Sequence, residues 1–419
     1  MWAMRSMLAK AANIRVSIVG RSPMHQLTAS DEFFDTLIVG AGSIGMAAGY
    51  FLSRAGNKVL LLDAGDPPHS GGSHHGSTRL IRHAYGEGAA YVPLALRAQH
   101  LWLALEQEAQ APIFARTGVV NIGTHDDPFM REVARSASEY GLALEFFDGP
   151  QASRRWPAWR LSPGQMAAFE PDAGVLYCEQ AVLGFRRLAT ALGAQLRANT
   201  MVARIELLDQ GGVGVVTDRG ERFTCRDLIV CAGRSCRDLL EPLGLRVPVT
   251  RVRKSFAWFD GDPLLFAPDV FPGFAIASEA GQYYGFPDLD GSGLKVGRHD
   301  GGQPVGANAP LAPFGDDPSD VSDLEGFLRR HLPGAGKLRT GKTCEYDMTP
   351  DEHFIIDRLP ACSRIHVATG FSGHGFKFAS AIGEALAERI TLGASRLDLS
   401  PFSMGRFGGL DRASAEGPS

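Results

Sequence analysis

Three glycines, Gly40, Gly42 and Gly45, stand at G-x-G-x-x-G spacing directly after the apolar run Thr36-Leu37-Ile38-Val39. Between a strand and a helix this spacing holds a pyrophosphate. The first Gly makes the tight turn, the second admits the phosphate to the backbone, and the third lets helix and strand pack closely. A helix opening near Ser43 directs its free N–H groups at the phosphates. Asp63 closes the next apolar run, Val59-Leu60-Leu61-Leu62, 18 residues after Gly45, where a ribose hydroxyl needs an acceptor. An acid there favours FAD or NAD over NADP. In a chain with 50 glycines the glycine spacing alone is weak evidence. Strand, helix and acid together carry the expectation of a bound dinucleotide, against an α/β turn that binds nothing. A second residue stands out. Lys377 lies between Phe376 and Phe378 in a Gly-rich loop after an apolar strand. That position suits an active-site lysine, and the alternative is a solvated side chain snorkelling past two aromatics.

The elements that must position these groups come from a chain of 419 residues, 44% hydrophobic and 21% charged, enough for two domains. The net charge of −4, without long basic or acidic runs, argues against a nucleic-acid surface or a lipid-binding stripe. The longest apolar stretch, Leu37 to Leu52, is glycine-broken and too short to span a bilayer. Six cysteines form no C-x-x-C pair, so no zinc site or redox dithiol is expected. His74 and His75 lack a second ligand cluster, so no metal is expected. Residues 1–33 hold Arg5, Lys10 and Arg15 but no continuous apolar core of a signal peptide. They read as a disordered extension, with a transit-like segment as the alternative, and free thiols point to the cytoplasm.

The first βαβ unit is expected over 34–64, followed by a Gly-, Pro-, Ser- and His-rich loop over 65–77. Leu94, Ala98, Leu101 and Leu105 lie on one helical face and predict a helix over 94–110. Runs at 213–217 and 222–224, joined through Asp218-Arg219-Gly220, predict a hairpin. Apolar runs ending in Gly at 228–233 and 365–370 predict further buried parallel strands, the second followed by a helix with Ile382, Leu386 and Ile390 on one face. Strand-like, Pro/Gly-punctuated sequence fills 250–350. Dinucleotide-domain pieces are therefore expected at 34–112, 178–246 and 351–404. A substrate domain is expected at 113–177 and 247–350, and a tail at 405–419.

Three longer strings are far more specific than the glycines: residues 73–88 (SHHGSTRLIRHAYGEG), 351–357 (DEHFIID) and 370–378 (GFSGHGFKF). With the dinucleotide turn, they make the chain resemble the monomeric sarcosine oxidase and N-methyltryptophan oxidase family from about residue 34 to 405. The resemblance implies an α/β fold. A glutathione-reductase-like, Rossmann-type FAD domain would carry an inserted α+β substrate domain built on an antiparallel sheet. It also implies oxidative demethylation of secondary amino acids by oxygen, releasing formaldehyde and hydrogen peroxide. The expected partners are a small N-methyl amino acid and oxygen, and the expected state is a monomer.

Residue by residue, the resemblance assigns Cys344 to a covalent flavin linkage; without it, a strand cysteine is a core residue. Arg82 and Lys377 match the two cations that fix the substrate carboxylate, a fork and a point charge. Lys295 matches the oxygen-activating lysine, where a fixed cation stabilises superoxide; as plain strand alternation it would be exposed. Arg79 and His75 match residues beside the flavin ring, and Tyr284 and His299 match residues lining the substrate side. Gly370, Gly373 and Gly375, with Lys377, belong to the cofactor-facing loop, and Gly373 also to the substrate side. No strong general base is evident. Ala275 falls where sarcosine-oxidising relatives carry a bulky methionine. Room there predicts an N-methyl-L-tryptophan-like substrate, since an indole buries on the order of 150–250 Å². The alternatives are an oxidase of sarcosine or of a pipecolate-like amino acid, and an amine dehydrogenase with another acceptor.

Overall fold

The computed structural model describes residues 32–209, 211–306 and 309–408. Most of the expected N-terminal extension and C-terminal tail lies outside them. Phe33 already belongs to the first strand, and Met404–Phe407 forms a 3-10 turn with Met404 in the core.

An eight-stranded sheet has Phe33–Val39 near its centre, between Val59–Leu62 and Arg222–Val230, all parallel. The strand Arg222–Val230 is shared lengthwise on its other side. Its first half forms the expected hairpin with Val213–Thr217, and its last residues pair in parallel with Cys362–Thr369. These central strands are apolar on both faces, as a doubly covered parallel sheet requires. Ile38, Leu61 and Ile229 enter one core and Leu37, Val39, Leu60, Leu62 and Leu228 enter the other. Helices Ser43–Arg54, Val92–Ala109, Cys178–Ala191 and Ala379–Thr391 contribute to the first core. A Cβ at Gly383 would lie 2.5 Å from the Ala47 Cβ, so the first and last of these helices approach as only glycine permits.

The second sheet has nine strands. Thr250–Gly261 pairs along its length with Ala335–Met348, a 14-residue strand, and on its other side with Leu294–Arg298 and Gln303–Pro304. Gly281–Phe286 and Gly273–Ser278 follow, then Val119–Thr124, Gln165–Glu170 and Glu145–Asp148. The sheet is antiparallel, as expected, at every pairing but one. Gly273–Ser278 runs parallel to Val119–Thr124, because these neighbours come from distant parts of the chain and are joined by a crossover, not a hairpin. A small third sheet joins Thr78–Ile81, Gly174–Tyr177 and Phe114–Ala115. It carries Arg79 and leads directly into Arg82.

Candidate active site

The glycine turn has the geometry that its spacing predicts. Gly40 has φ +94°, and a Cβ there would lie 2.5 Å from the Cys231 carbonyl oxygen. A Cβ at Gly45 would lie 1.9 Å from the Gly40 oxygen. At Gly42 a Cβ would meet nothing nearer than His74 Nδ1 at 3.5 Å, so the backbone there stays approachable. The helix that starts at Ser43 has neither a side-chain cap nor an acid in its first turn. Its terminal N–H groups are left for an anion. Asp63 does more than the sequence implies. Its carboxylate accepts from Ala41 N (2.7 Å), Gly65 N (2.8 Å) and His69 Nε2 (3.0 Å), pinning the turn. A carboxylate has about four acceptor positions, so one remains for a hydroxyl. These features fit a dinucleotide.

A cavity of about 790 Å³, counted with its mouth, gathers Arg79, Arg82, Ala275, Tyr284, His299, Cys344, Gly373 and Lys377 from the predicted residues. Arg82 follows the strand Thr78–Ile81. Its backbone neighbours are tied down by Glu170, whose carboxylate accepts from His83 N (3.0 Å) and Ala84 N (3.2 Å) and pairs with the His83 ring. The Arg82 Nη2 donates to both oxygens of Glu87, at 2.6 and 2.8 Å. Its Nη1 is buried without a hydrogen-bond partner among the described residues. Tyr85 and Phe129 place their rings 4.6 and 5.2 Å from the guanidinium. Burial raises the Glu87 carboxyl, but Arg82 and the neighbouring His374 and Lys377 outweigh it and hold it down at about 2.

Lys377 is buried, and its Nζ donates to the Tyr85 hydroxyl (2.9 Å) and the His374 carbonyl (3.0 Å). Burial first, then Arg82, pushes its ammonium down to about 7. The backbone allows this through close-packed glycines. Gly373 has φ +80°, with its Cβ direction 2.1 Å from the Tyr346 ring, and Gly370 has φ +64°. At Gly375 a Cβ would stand 2.6 Å from the Phe371 Cβ.

Cys344 is buried among Phe256, Trp258 and Tyr346. Burial raises its thiol, opposed by Arg79, Lys295 and Lys254. Arg79 is held by carbonyls alone, donating to Thr78 O (2.8 Å), Ser73 O (2.9 Å) and His75 O (2.9 Å), so its charge has no paired carboxylate among the described residues. His299 is pushed down to about 4 by burial, and burial followed by Arg79 does the same to His75. Tyr284 is raised to about 12, by burial and then Cys344.

The glycine-turn residues, Gly370 and Gly375 do not line this cavity, and neither do two residues expected at the ring and at oxygen, His75 and Lys295. His75 borders a neighbouring depression with His69, Glu179 and Lys342. Lys295 is buried behind the backbone of 76–78. Its Nζ donates to Gly76 O (2.5 Å), Thr78 O (3.1 Å) and Thr78 Oγ1 (3.2 Å), enclosed by Phe256, Trp258 and Phe286. The alternation argument that would expose it fails, since Leu294, Lys295 and Val296 are all buried. Burial and then Arg79 push it down to about 7.

Sequence reasoning missed Glu87, Tyr85, His374, Tyr346, Lys254 and Asn121. The first three lie inside the strings that carry the resemblance, and their position there is the signal that could have found them. Lys254 donates to the carbonyls of His299 (2.7 Å) and Gly301 (2.5 Å) and so fixes the His299 loop. Asn121, fully buried and in register with Ala275, leaves both amide atoms without a partner among the described residues. Among the described residues no three-ligand metal cluster occurs, and no helix is long and apolar enough to cross a membrane.

Comparison with known proteins agrees with this geometry. Residues 35–389 match the family described as FAD dependent oxidoreductase. Monomeric sarcosine oxidase of Bacillus sp. (strain B-0618) is 44% identical over 376 residues, 89% of this chain and 96% of the relative. N-methyl-L-tryptophan oxidase of Escherichia coli (strain SMS-3-5 / SECEC) is 45% identical over 376 residues, 89% of this chain and 99% of the relative. Among solved structures, L-proline dehydrogenase from P. horikoshii shares the fold with a TM-score of 0.80 at 20% identity, covering 90% of this chain and 98% of that one. The chain belongs to the FAD-dependent oxidoreductases, in the family of monomeric sarcosine oxidase and N-methyl-L-tryptophan oxidase.

Proposed function

We propose that this protein oxidatively demethylates N-methyl-L-amino acids, converting substrate, oxygen and water to the primary amino acid, formaldehyde and hydrogen peroxide. The observation that carries this reading is the pair of buried basic side chains in one cavity, Arg82 and Lys377, with Arg82 Nη1 still unpartnered. An unpaired buried donor on a charged group is costly, and an amino-acid carboxylate is its natural partner.

FAD, when bound, accepts the two electrons taken from the N-methyl carbon–nitrogen unit and passes them to oxygen. Gly40, Gly42, Gly45, the N–H groups from Ser43 onward and Asp63 hold its dinucleotide portion. Arg79, His75 and the loop of Gly370, Gly373, Gly375 and Lys377 would hold its ring portion. Cys344 would tether it, which its place in the cavity wall supports, together with Arg79, Lys295 and Lys254, whose charges oppose the upward push of burial on its thiol. Arg82 and Lys377 clamp the carboxylate and so orient the methylated amine. Tyr284 and His299 wall the substrate side. Lys295 supplies fixed positive charge for oxygen reduction. The protein works as a monomer, in keeping with the relative that carries that word in its name.

A bulky side chain is preferred over sarcosine. Ala275 and Ala277, both in the wall, are small side chains that leave room for a bulky substituent. The test is a peroxide assay over sarcosine, N-methyl-L-tryptophan, N-methyl-L-phenylalanine and pipecolate. Peroxide with N-methyl-L-tryptophan favoured is the expected result. A strong preference for sarcosine overturns the Ala275 argument, and formaldehyde without peroxide favours a dehydrogenase. The tether has its own test. Acid-precipitated wild type stays yellow, and a Cys344→Ser pellet is colourless; colour lost from both rules the linkage out.

A further inference from the structure

A zwitterionic amino acid brings an ammonium group, and its C–N unit can be oxidised only after that proton has left. Some group in the cavity, or the solvent, must take it. The residues around the cavity narrow the choice by their hydrogen bonds. Glu87 spends both oxygens on Arg82. Lys295 lies outside the cavity wall, with three oxygen acceptors around its Nζ. Tyr284 keeps its proton, so no phenolate is present to act as a base. His299 is a weak base, held down at about 4.

His374 is excluded by the direction of a hydrogen-bond chain. Lys377 Nζ reaches the Tyr85 hydroxyl at 2.9 Å, that hydroxyl reaches His374 Nδ1 at 2.8 Å, and His374 Nε2 reaches the Glu352 carbonyl at 3.1 Å. A carbonyl only accepts, so Nε2 holds the ring proton and Nδ1 is the acceptor. The Tyr85 hydroxyl then donates to Nδ1, and Lys377 must donate to Tyr85. Both ring nitrogens are therefore committed. A second N–H of Lys377 is committed to the His374 carbonyl. An ammonium has three N–H groups. With two locked onto the protein, one position is left over, and the open space beside Lys377 is the cavity that it lines.

Resting on the reading of a carboxylate-and-amine substrate given above, we propose that Lys377, as a neutral amine whose lone pair faces the cavity, takes the proton of the substrate ammonium on binding. The step balances. The nitrogen–hydrogen bond of the substrate breaks and a nitrogen–hydrogen bond on Nζ forms, leaving a neutral secondary amine and a lysine ammonium beside the substrate carboxylate. Tyr85 and His374 are positioning residues that keep the titrating position turned inward. The groups facing Lys377 support a neutral resting form. Arg82 and Arg79 disfavour its charge and Glu87 favours it, while burial pushes it to about 7. The arriving carboxylate reverses that balance.

Proton counting on the flavin-loaded protein tests this without turnover. The ligands are L-tryptophan, a zwitterion, and indole-3-propanoate, the same skeleton without the amine. Calorimetry in two buffers of different ionisation enthalpy gives the protons exchanged. At pH 8.5 Lys377 starts neutral, so indole-3-propanoate takes up close to one proton and tryptophan close to none. At pH 6 Lys377 starts charged, so indole-3-propanoate exchanges none and tryptophan releases close to one. In Lys377→Arg, which cannot become neutral, the uptake at pH 8.5 vanishes and tryptophan releases a proton. Tyr85→Phe removes an acceptor of the charged form and moves the onset of uptake down by about one pH unit. Equal proton counts for the two ligands, or uptake persisting in Lys377→Arg, overturn the proposal. Binding of neither ligand overturns the carboxylate site itself, and the proposal with it.

Discussion

Replacing Arg82 by methionine lowers kcat/KM for N-methyl amino acids by roughly 10²–10⁴. Two charge-assisted hydrogen bonds at about 1.5–3 kcal/mol each account for that range. The same change strips Glu87 of the partner that holds it at about 2, so its carboxyl moves back up toward the range that burial sets. Arg82→Lys keeps the charge but loses the planar fork, and its kcat/KM falls between the two. The measurement is steady-state kinetics on N-methyl-L-tryptophan and on its carboxamide. The amide has no carboxylate to clamp, so wild type and Arg82→Met treat it alike. A loss of equal size on the amide means that Arg82 supports the fold and not the carboxylate.

Lys295→Met slows reoxidation of the reduced protein by oxygen by roughly 10²–10³, the usual cost of removing a fixed group that stabilises developing negative charge. Reduction by substrate changes far less, because Lys295 lies behind the 76–78 backbone and outside the cavity wall. The ammonium, held at about 7 by burial and Arg79, is the helpful form. Its contribution is therefore full below about pH 7 and is lost as pH rises through it. Stopped-flow measurement of the two half-reactions across pH checks both points. Equal slowing of reduction and reoxidation would refute the assigned role and leave Lys295 as the strut that its three hydrogen bonds also describe.

The parallel-sheet half of the fold was legible because its signals are local. Thr36–Val39, Val59–Leu62 and Leu228–Val230 are apolar on both faces, and each of their turns is marked by glycine or an acid. The helix predicted over 94–110 occupies Val92–Ala109 for the same reason. The parallel pairing of Gly273–Ser278 with Val119–Thr124 was not legible, since register between strands some 150 residues apart leaves no trace in either one. In the site, charged residues with unusual neighbours were the ones the sequence made visible. Lys377 between two phenylalanines is one, and its burial with Tyr85 and His374 is the structural counterpart. Glu87 and Tyr85 were passed over because an acid and an aromatic in a loop are ordinary until Arg82 and Lys377 fold against them. Asn121 was hidden for the opposite reason. Within Val119–Thr124 it resembles an exposed alternation residue, and the three-dimensional pairing with Ala275 on one side and Ala168 on the other buries it.

The most direct measurement is anaerobic mixing of the purified yellow protein with one equivalent of N-methyl-L-tryptophan. The account predicts that the visible flavin absorbance bleaches and one equivalent of formaldehyde appears. Admitting air then restores the colour and yields one equivalent of hydrogen peroxide. Absorbance that no N-methyl amino acid alters in the absence of air would contradict it.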